Sequence, residues 1–207
     1  MTRTVLLASA SPSRYSLLSA AGIIPVVQVS HVDEVAIEAL MPSASTSQVC
    51  SALAQAKGEA VAADITVTTD TNVLIIAADS MLEFEGHSFG KPEEPDVAFQ
   101  RWQVMRGKTG TLRTAHWVKD CLTNQVRTGV AGAIVHFAEI SDDEIRAYVA
   151  TGEPLNVAGA FTHEGYSAAF ISKIDGDSPA VGGLSLHLLR NLTADMGITW
   201  HTLWNRH

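Results

Sequence analysis

Several short stretches of this chain carry residues able to do chemistry. The N-terminal run Leu6-Leu7-Ala8-Ser9-Ala10-Ser11-Pro12-Ser13-Arg14 passes from apolar residues into a serine-rich turn with an arginine just beyond it. Backbone N–H groups at a helix start, two hydroxyls and one guanidinium can together cradle a phosphate. The same residues also read as a plain βα turn, with Ser11 as N-cap and Pro12 at the first helical position. Next come His31-Val32-Asp33-Glu34, Lys57, Ala77-Ala78-Asp79-Ser80 and Gly90-Lys91-Pro92. A carboxylate at the C-terminal end of a buried strand stands where α/β folds place active sites, and Asp79 fits that description. Burial there raises a carboxyl pKa and suits general-base work, whereas a turn-capping aspartate is the alternative. Glu34 or Asp33 can join Asp79 in ligating Mg²⁺ or Mn²⁺, since hard cations take carboxylate oxygens; the alternative is a solvated acidic loop. Lys57 and Lys91 either neutralise phosphate or lie on the surface. As a set, these groups suit metal-assisted hydrolysis of a polyphosphate, provided they converge.

The elements that must position them follow from periodicity. Val5–Ala8 reads as a short buried strand, and Ser13–Ala21 as a helix ended by Gly22. Val26–Val29 is a second strand. Thr46–Ala63 is a helix with Val49, Leu53, Ala56, Ala60 and Val61 on one face. Val73–Ala78 is a buried strand ending at Asp79, Met81–Phe84 continues extended, and Glu85-Gly86-His87 is a hairpin turn. Pro95–Met105 is a helix with Trp102 and Met105 on its apolar side. Leu112–Val118 and Gly129–Phe137 are strands joined through Thr123–Gln125. Ser141 to Glu144 form a capping box that opens a helix to about Ala150. Phe170–Ile174 is a strand, and Leu184–Met196 a late helix. The Ala-, Ser- and Pro-rich segment Val35–Ser47 reads as a mobile loop. Strands alternate with helices and hairpins are mixed in, so the expected fold class is α/β with mixed α+β character: one domain over residues 1–207, in two lobes.

Composition bounds the function. Among 207 residues, 46% are hydrophobic and 17% charged, which fits a globular chain. A formal net charge of −8 argues against a nucleic-acid polymer as partner and requires local lysines and arginines to hold an anionic ligand. Two cysteines outside any CxxC or Cys/His cluster suggest neither a disulfide framework nor a zinc site. No apolar run has membrane-spanning length and no signal-peptide h-region is apparent, so a cytoplasmic protein without a membrane partner is expected. Gly107-Lys108-Thr109 looks like the end of a Walker A loop, but Trp102 stands where its first glycine belongs. Leu184-Ser185-Leu186 is not a nucleophile elbow, because His187 replaces the second glycine.

The order of the motifs resembles the Maf family of nucleoside triphosphate pyrophosphatases, once described as septum-formation inhibitors. The likeness covers essentially the whole chain. It runs through Leu7–Pro12 with Arg14, Val32-Asp33-Glu34, Leu53–Lys57, Ala78-Asp79-Ser80 and Gly90-Lys91-Pro92. It continues through Tyr148–Leu155, Ala158–Phe161 and Gly182–Leu186. The resemblance implies a Maf/ITPase-like two-lobed mixed sheet with flanking helices and a central cleft. It also implies a cytoplasmic, often dimeric enzyme that cleaves a nucleoside triphosphate between its α and β phosphates. The family's proton-accepting aspartate matches Asp79. Its phosphate-binding groups match Ser9, Ser11, Arg14, Lys57 and Lys91, and its metal-linked glutamate matches Glu34, with Mg²⁺ or Mn²⁺ shared by Asp79.

Departures from the family bear on specificity. Where branches preferring dTTP and UTP resemble one another in an arginine, a threonine and a glutamine, this chain has Ser13, Ser80 and Glu164. The branch preferring 7-methyl-GTP looks more like Trp, Gln and Glu there, and only Glu164 matches it. A carboxylate facing the base favours donor edges such as guanine N1–H and N2–H₂. Gly110 stands where a histidine is common in the family. Two competing readings remain at this level: a nucleotide-binding regulator of cell division without significant turnover, and a phosphatase releasing orthophosphate. The C-terminal tryptophans Trp200 and Trp204 either pack on the core or form a dimer face.

Overall fold

The computed structural model describes residues 3–65 and 72–206. Among them, the strands are β1 (Thr4–Leu7), β2 (Val26–Val27), β3 (Val73–Phe84), β4 (His87–Phe89), β5 (Thr109–Asp120), β6 (Gln125–Phe137) and β7 (Ile171–Gly176). The helices are α1 (Pro12–Ala20), α2 (Glu34–Ala39), α3 (Thr46–Asp64), α4 (Pro95–Met105), α5 (Asp142–Ala150), α6 (Ser178–Val181) and α7 (Leu186–Ala194). The described strands form a seven-stranded mixed sheet in the order β2-β1-β3-β5-β6-β7, with β4 also paired to β3. β1 runs parallel to both β2 and β3, whereas β3–β4 and β6–β7 are antiparallel. The fold is therefore mixed α/β, as the alternating pattern predicts.

The chain divides into two compact units. The first comprises Met1–Asp79, Thr114–Ala131 and Gly183–His207. Its core joins Val5 and Leu7 of β1, Leu18 of α1, Leu74, Ile76 and Ala78 of β3, and Leu189 and Leu192 of α7. The β1–β3 register sets Leu7 opposite Ile76, so alternate side chains of two parallel strands feed one core. Trp200 packs against this core, while Trp204 is half exposed beside Gly22.

The second unit comprises Ser80–Arg113 and Gly132–Gly182. Trp102 is its fully buried centre, edge-on to Phe137, Tyr148 and Phe170 at centroid distances of 5.6, 5.5 and 5.9 Å. Edge-to-face contact suits the ring quadrupoles. The indole N–H donates to the Ala160 carbonyl at 2.7 Å, which removes the cost of burying a polar group.

Three expectations need correction. Val35–Ser47 is not all loop: α2 occupies Glu34–Ala39, and Asp33 Oδ1 accepts the Ala36 N–H at 2.9 Å as its N-cap. The acidic pair is the start signal, and the Ser/Pro content belongs to the turn before α3. The strand carrying Asp79 does not end there, because buried Met81, Leu82 and Phe84 continue the ladder to Phe84. β2 stops at Val27, shortly before His31 turns the chain with a φ of 51°.

Gly58 lies on the buried face of α3 against the Trp117 ring, where an added Cβ would stand 2.1 Å from a ring carbon. Alanine improves helix propensity by up to about 1 kcal/mol, but overpacking costs about 1–3 kcal/mol. Gly58→Ala should therefore lower stability, seen as a reduced urea midpoint at unchanged m; an increase would mean that the ring yields without cost.

Candidate active site

The first unit gathers Ser9, Ser11, Arg14, Glu34, Lys57 and Asp79. β1 delivers Ser9 just past its end, and Ser11 caps α1 with Oγ accepting the Arg14 N–H at 3.5 Å. Arg14 is buried. Its Nη1 donates to Ser9 Oγ at 3.0 Å and its Nε to the Gly183 carbonyl at 2.8 Å. Ser9 Oγ also accepts the Ser11 N–H at 3.2 Å. The turn is thus both the ordinary N-cap and a closed hydroxyl–guanidinium cradle. Gly183 is required there: its φ is +95°, and a Cβ would stand 3.1 Å from Arg14 Nε. Gly183 therefore serves the arginine's seat.

Lys57 occupies a position on the stripe of α3 that otherwise buries Val49, Leu53, Ala54 and Val61. An ammonium on such a stripe needs carboxylates. Its Nζ lies 2.6 Å from Asp79 Oδ1 and 3.0 Å from Glu34 Oε1. Glu34 reaches it from the first turn of α2, whereas Asp33 serves as the cap of that helix. Burial pushes the Asp79 carboxyl above its usual range, and Lys57 and Arg14 oppose the shift without cancelling it. Burial likewise lowers the Arg14 guanidinium while Asp79 and Glu34 support its charge. Glu38 belongs to the same field: partial burial raises its pKa, and Asp79 and Glu34 raise it further. It lies one turn beyond Glu34, a spacing hidden when this segment is read as a loop.

Asp79 and Glu34 aim one oxygen each at a single cationic point, the position of Lys57 Nζ. Each carboxylate keeps a second oxygen besides the one on Lys57, and carboxylate oxygens are the donors a small divalent ion takes alongside water and phosphate oxygens. Among the described residues, no group of three or more His, Cys, Asp and Glu side chains is placed to hold a metal by itself.

The remaining candidates are Ser13 on α1, half-buried, and three residues of the second unit. Ser80 follows Asp79 on β3 and is half-buried. Lys91 is exposed after β4, beside Gly90, whose carbonyl accepts from Arg101 Nη1 at 2.6 Å and from the Gly159 N–H at 3.1 Å. Glu164 is exposed in the segment between Phe161 and Ser167, 3.5 Å from His163 Nε2. At Gly110, a Cβ would meet Leu82 at 2.8 Å, so the family's histidine does not fit this packing unaltered.

Lys57→Met would leave the Asp79 charge buried without its ammonium. Breaking such a pair should cost about 3 kcal/mol at neutral pH. The folded-state pKa of Asp79 would then lie further above the unfolded one. The penalty is therefore complete above the folded value and fades as pH falls through it. Urea unfolding of variant and wild type at pH 7 and pH 5 should show a smaller difference at pH 5. Equal differences would assign Lys57 a packing role only.

The family model described as Maf-like protein matches residues 4–196. A protein from Streptomyces coelicolor named nucleoside triphosphate pyrophosphatase is 48% identical over 98% of this chain and 95% of its own length. One of the same name from Salinispora tropica is 46% identical over 98% of this chain and 88% of its own. A third, from Synechocystis, is 44% identical over 99% and 100%. With a family model spanning nearly its full length, and relatives this similar along it, the chain belongs to the Maf-like protein family.

Proposed function

We propose that this protein is a nucleoside triphosphate pyrophosphatase, hydrolysing a nucleoside triphosphate to the monophosphate and pyrophosphate. The observation that carries the reading is the convergence of Asp79 and Glu34 on Lys57 beside the Ser9–Arg14 cradle. The name borne by the full-length relatives supports it.

In this reading, the α1 N-terminus, the Ser9 and Ser11 hydroxyls and Arg14 bind phosphate oxygens. Asp79 accepts a proton from the water that attacks the α phosphorus, and the bond to the bridging oxygen breaks. Arg14, Lys57 and Lys91 offset charge on the departing pyrophosphate. Burial, by raising the Asp79 pKa, makes it a stronger base than an exposed aspartate. Glu34 and Asp79 would hold Mg²⁺ or Mn²⁺. Such an ion supplies phosphate charge neutralisation and P–O polarisation.

Ser13, Ser80 and Glu164 are the proposed specificity positions, with Glu164 accepting from a guanine-type donor edge. The family resemblance, which runs along essentially the whole chain, supports reading residues 1–207 as one catalytic domain. The family resemblance supports a cytoplasmic homodimer. The net charge of −8 supports a small-molecule substrate over a nucleic-acid polymer. Among the described residues, no helix is long and apolar enough to cross a membrane.

The test is a panel of common ribo- and deoxyribonucleoside triphosphates with 7-methyl-GTP, in Mg²⁺ and in Mn²⁺, scoring pyrophosphate and orthophosphate separately. Pyrophosphate release should fall at least about 100-fold in Asp79→Asn while the variant stays folded and still binds triphosphate. Orthophosphate as the first product would indicate a phosphatase. Binding without turnover would indicate a regulator.

The pH profile gives an independent check. Activity should rise with pH as Asp79 ionises. Its raised pKa places this acid limb above the roughly 3.9 of an exposed aspartate. A limb at the ordinary value would exclude Asp79 as the base.

A further inference from the structure

We propose that Glu153 is a positioning residue for nucleobase selection, holding the loop Thr162–Ser167 in the one shape that presents Glu164 outward. The inference rests on the reading of Glu164 as a base-facing group and extends it to a residue that touches no substrate.

Glu153 follows α5 at the start of a single 3₁₀ turn, Glu153–Asn156, just after Gly152 reverses the chain with a φ of 77°. Its Oε1 accepts from Tyr148 Oη at 3.0 Å, from Thr162 Oγ1 at 2.9 Å and from the Ser167 N–H at 3.4 Å. Its Oε2 accepts the Tyr166 N–H at 2.9 Å. Three of these donors belong to one loop. The loop also closes on itself: Thr162 Oγ1 accepts the Gly165 N–H at 3.0 Å, and Ser167 Oγ accepts the Thr162 N–H at 2.9 Å while donating to the Thr162 carbonyl at 2.7 Å.

The closure is sterically tight. A Cβ on Gly165 would lie 2.2 Å from Glu153 Oε2 and 2.6 Å from Thr162 Oγ1, so any side chain there displaces the Glu153 carboxylate from its loop donors. The flanks are anchored as well. Phe161 packs edge-on to Phe137 at 5.2 Å, and Phe170 packs edge-on to Trp102 and to Tyr148 at 5.9 and 6.0 Å. Burial alone would push the Glu153 carboxyl up. The hydrogen bonds from Tyr166, Thr162, Tyr148 and Ser167 outweigh it and hold the pKa below the usual range, so the group stays an ionised acceptor.

Ser167 is the fully buried side chain of the loop, and it too is used in closure. Glu164 lies at the exposed turn, its carboxylate facing solvent and His163. A half-buried carboxylate whose partners are mainly an exposed loop contributes precision of placement. Such precision is what a selective contact requires, because ordering a loop on binding reduces affinity.

The experiment uses the full chain as wild type, Glu153→Ala, Glu153→Gln, Glu164→Gln and the double variant Glu153→Ala/Glu164→Gln. Binding of α,β-methylene analogues of GTP and UTP is measured beside kcat and KM for the parent nucleotides, and Tm for each variant. Glu153→Ala should reduce the wild-type GTP/UTP discrimination at least threefold, through KM and analogue Kd rather than kcat. Glu153→Gln should lie between, since the amide keeps one acceptor oxygen. The double variant should discriminate no less than Glu164→Gln alone, because both changes act through one contact.

The proposal is overturned if Glu153→Ala lowers Tm but preserves the base ranking, or if its effect multiplies with that of Glu164→Gln. It is equally overturned if Glu164→Gln leaves discrimination unchanged. Analogue binding keeps the test independent of turnover. Absence of pyrophosphate release would refute the proposed activity, whereas an unchanged base ranking refutes the role of Glu153.

Discussion

A carboxylate buried in an apolar strand is the constraint on which the first unit depends. Asp79 continues the run Leu74–Ala78, where every residue is buried, and its charge cannot be hydrated there as it would be in water. It must be met by cations placed from elsewhere. α3 brings Lys57, and the first turn of α1 brings Arg14. Neither cation is itself well hydrated, so each needs further partners. Glu34 supplies the second oxygen for Lys57, while Ser9 and the Gly183 carbonyl take the N–H groups of Arg14. One buried charge thereby ties together the starts of α1 and α2, the middle of α3, the middle of β3 and the glycine turn before α7.

That arrangement is demanding to fold and suited to polyanion chemistry for the same physical reason. Fixed charges in a poorly hydrated place interact strongly with an incoming charged group and need little reorganisation when it arrives. The excess of burial over counter-charge at Asp79 leaves its pKa raised, which keeps proton affinity available beside the two cations Lys57 and Arg14. The second unit solves a different problem. Its core is a set of aromatic rings around Trp102, and such packing accepts little deformation. Glu153 transfers that rigidity to a polar loop through hydrogen bonds.

Much of the fold was legible in the sequence wherever a local signal and a periodicity agreed. The capping box at Ser141/Glu144 opens α5, the periodicity from Thr46 marks α3, and Pro95–Met105 is a helix as its pattern predicts. The segment after Asp33 misleads because its Ala, Ser and Pro content resembles a loop, although Asp33-Glu34 is an ordinary helix start. The strand through Asp79 misleads in the opposite way. A lone carboxylate looks like a terminus, yet pairing with β4 and the burial of Met81, Leu82 and Phe84 carry the strand onward. Glu38 and Glu153 were invisible as participants, since their importance lies in partners distant along the chain or in a helix not recognised.

By itself, the sequence determined which chemical groups the protein owns and the order in which they occur. It also determined the short-range devices that place them: the Ser11 cap, the Gly22 and Gly152 turns and the stripe of α3 on which Lys57 falls. Such features depend on neighbours within a turn or two of helix, so they can be read locally. Only the tertiary structure decided that Lys57 stands between Asp79 and Glu34, that Arg14 is seated on Ser9 and Gly183, and that Glu153 organises a loop around its two oxygens. These are choices about where buried charge finds its partner. Burial and partnership are properties of packing between segments far apart in the chain, and no local pattern specifies them.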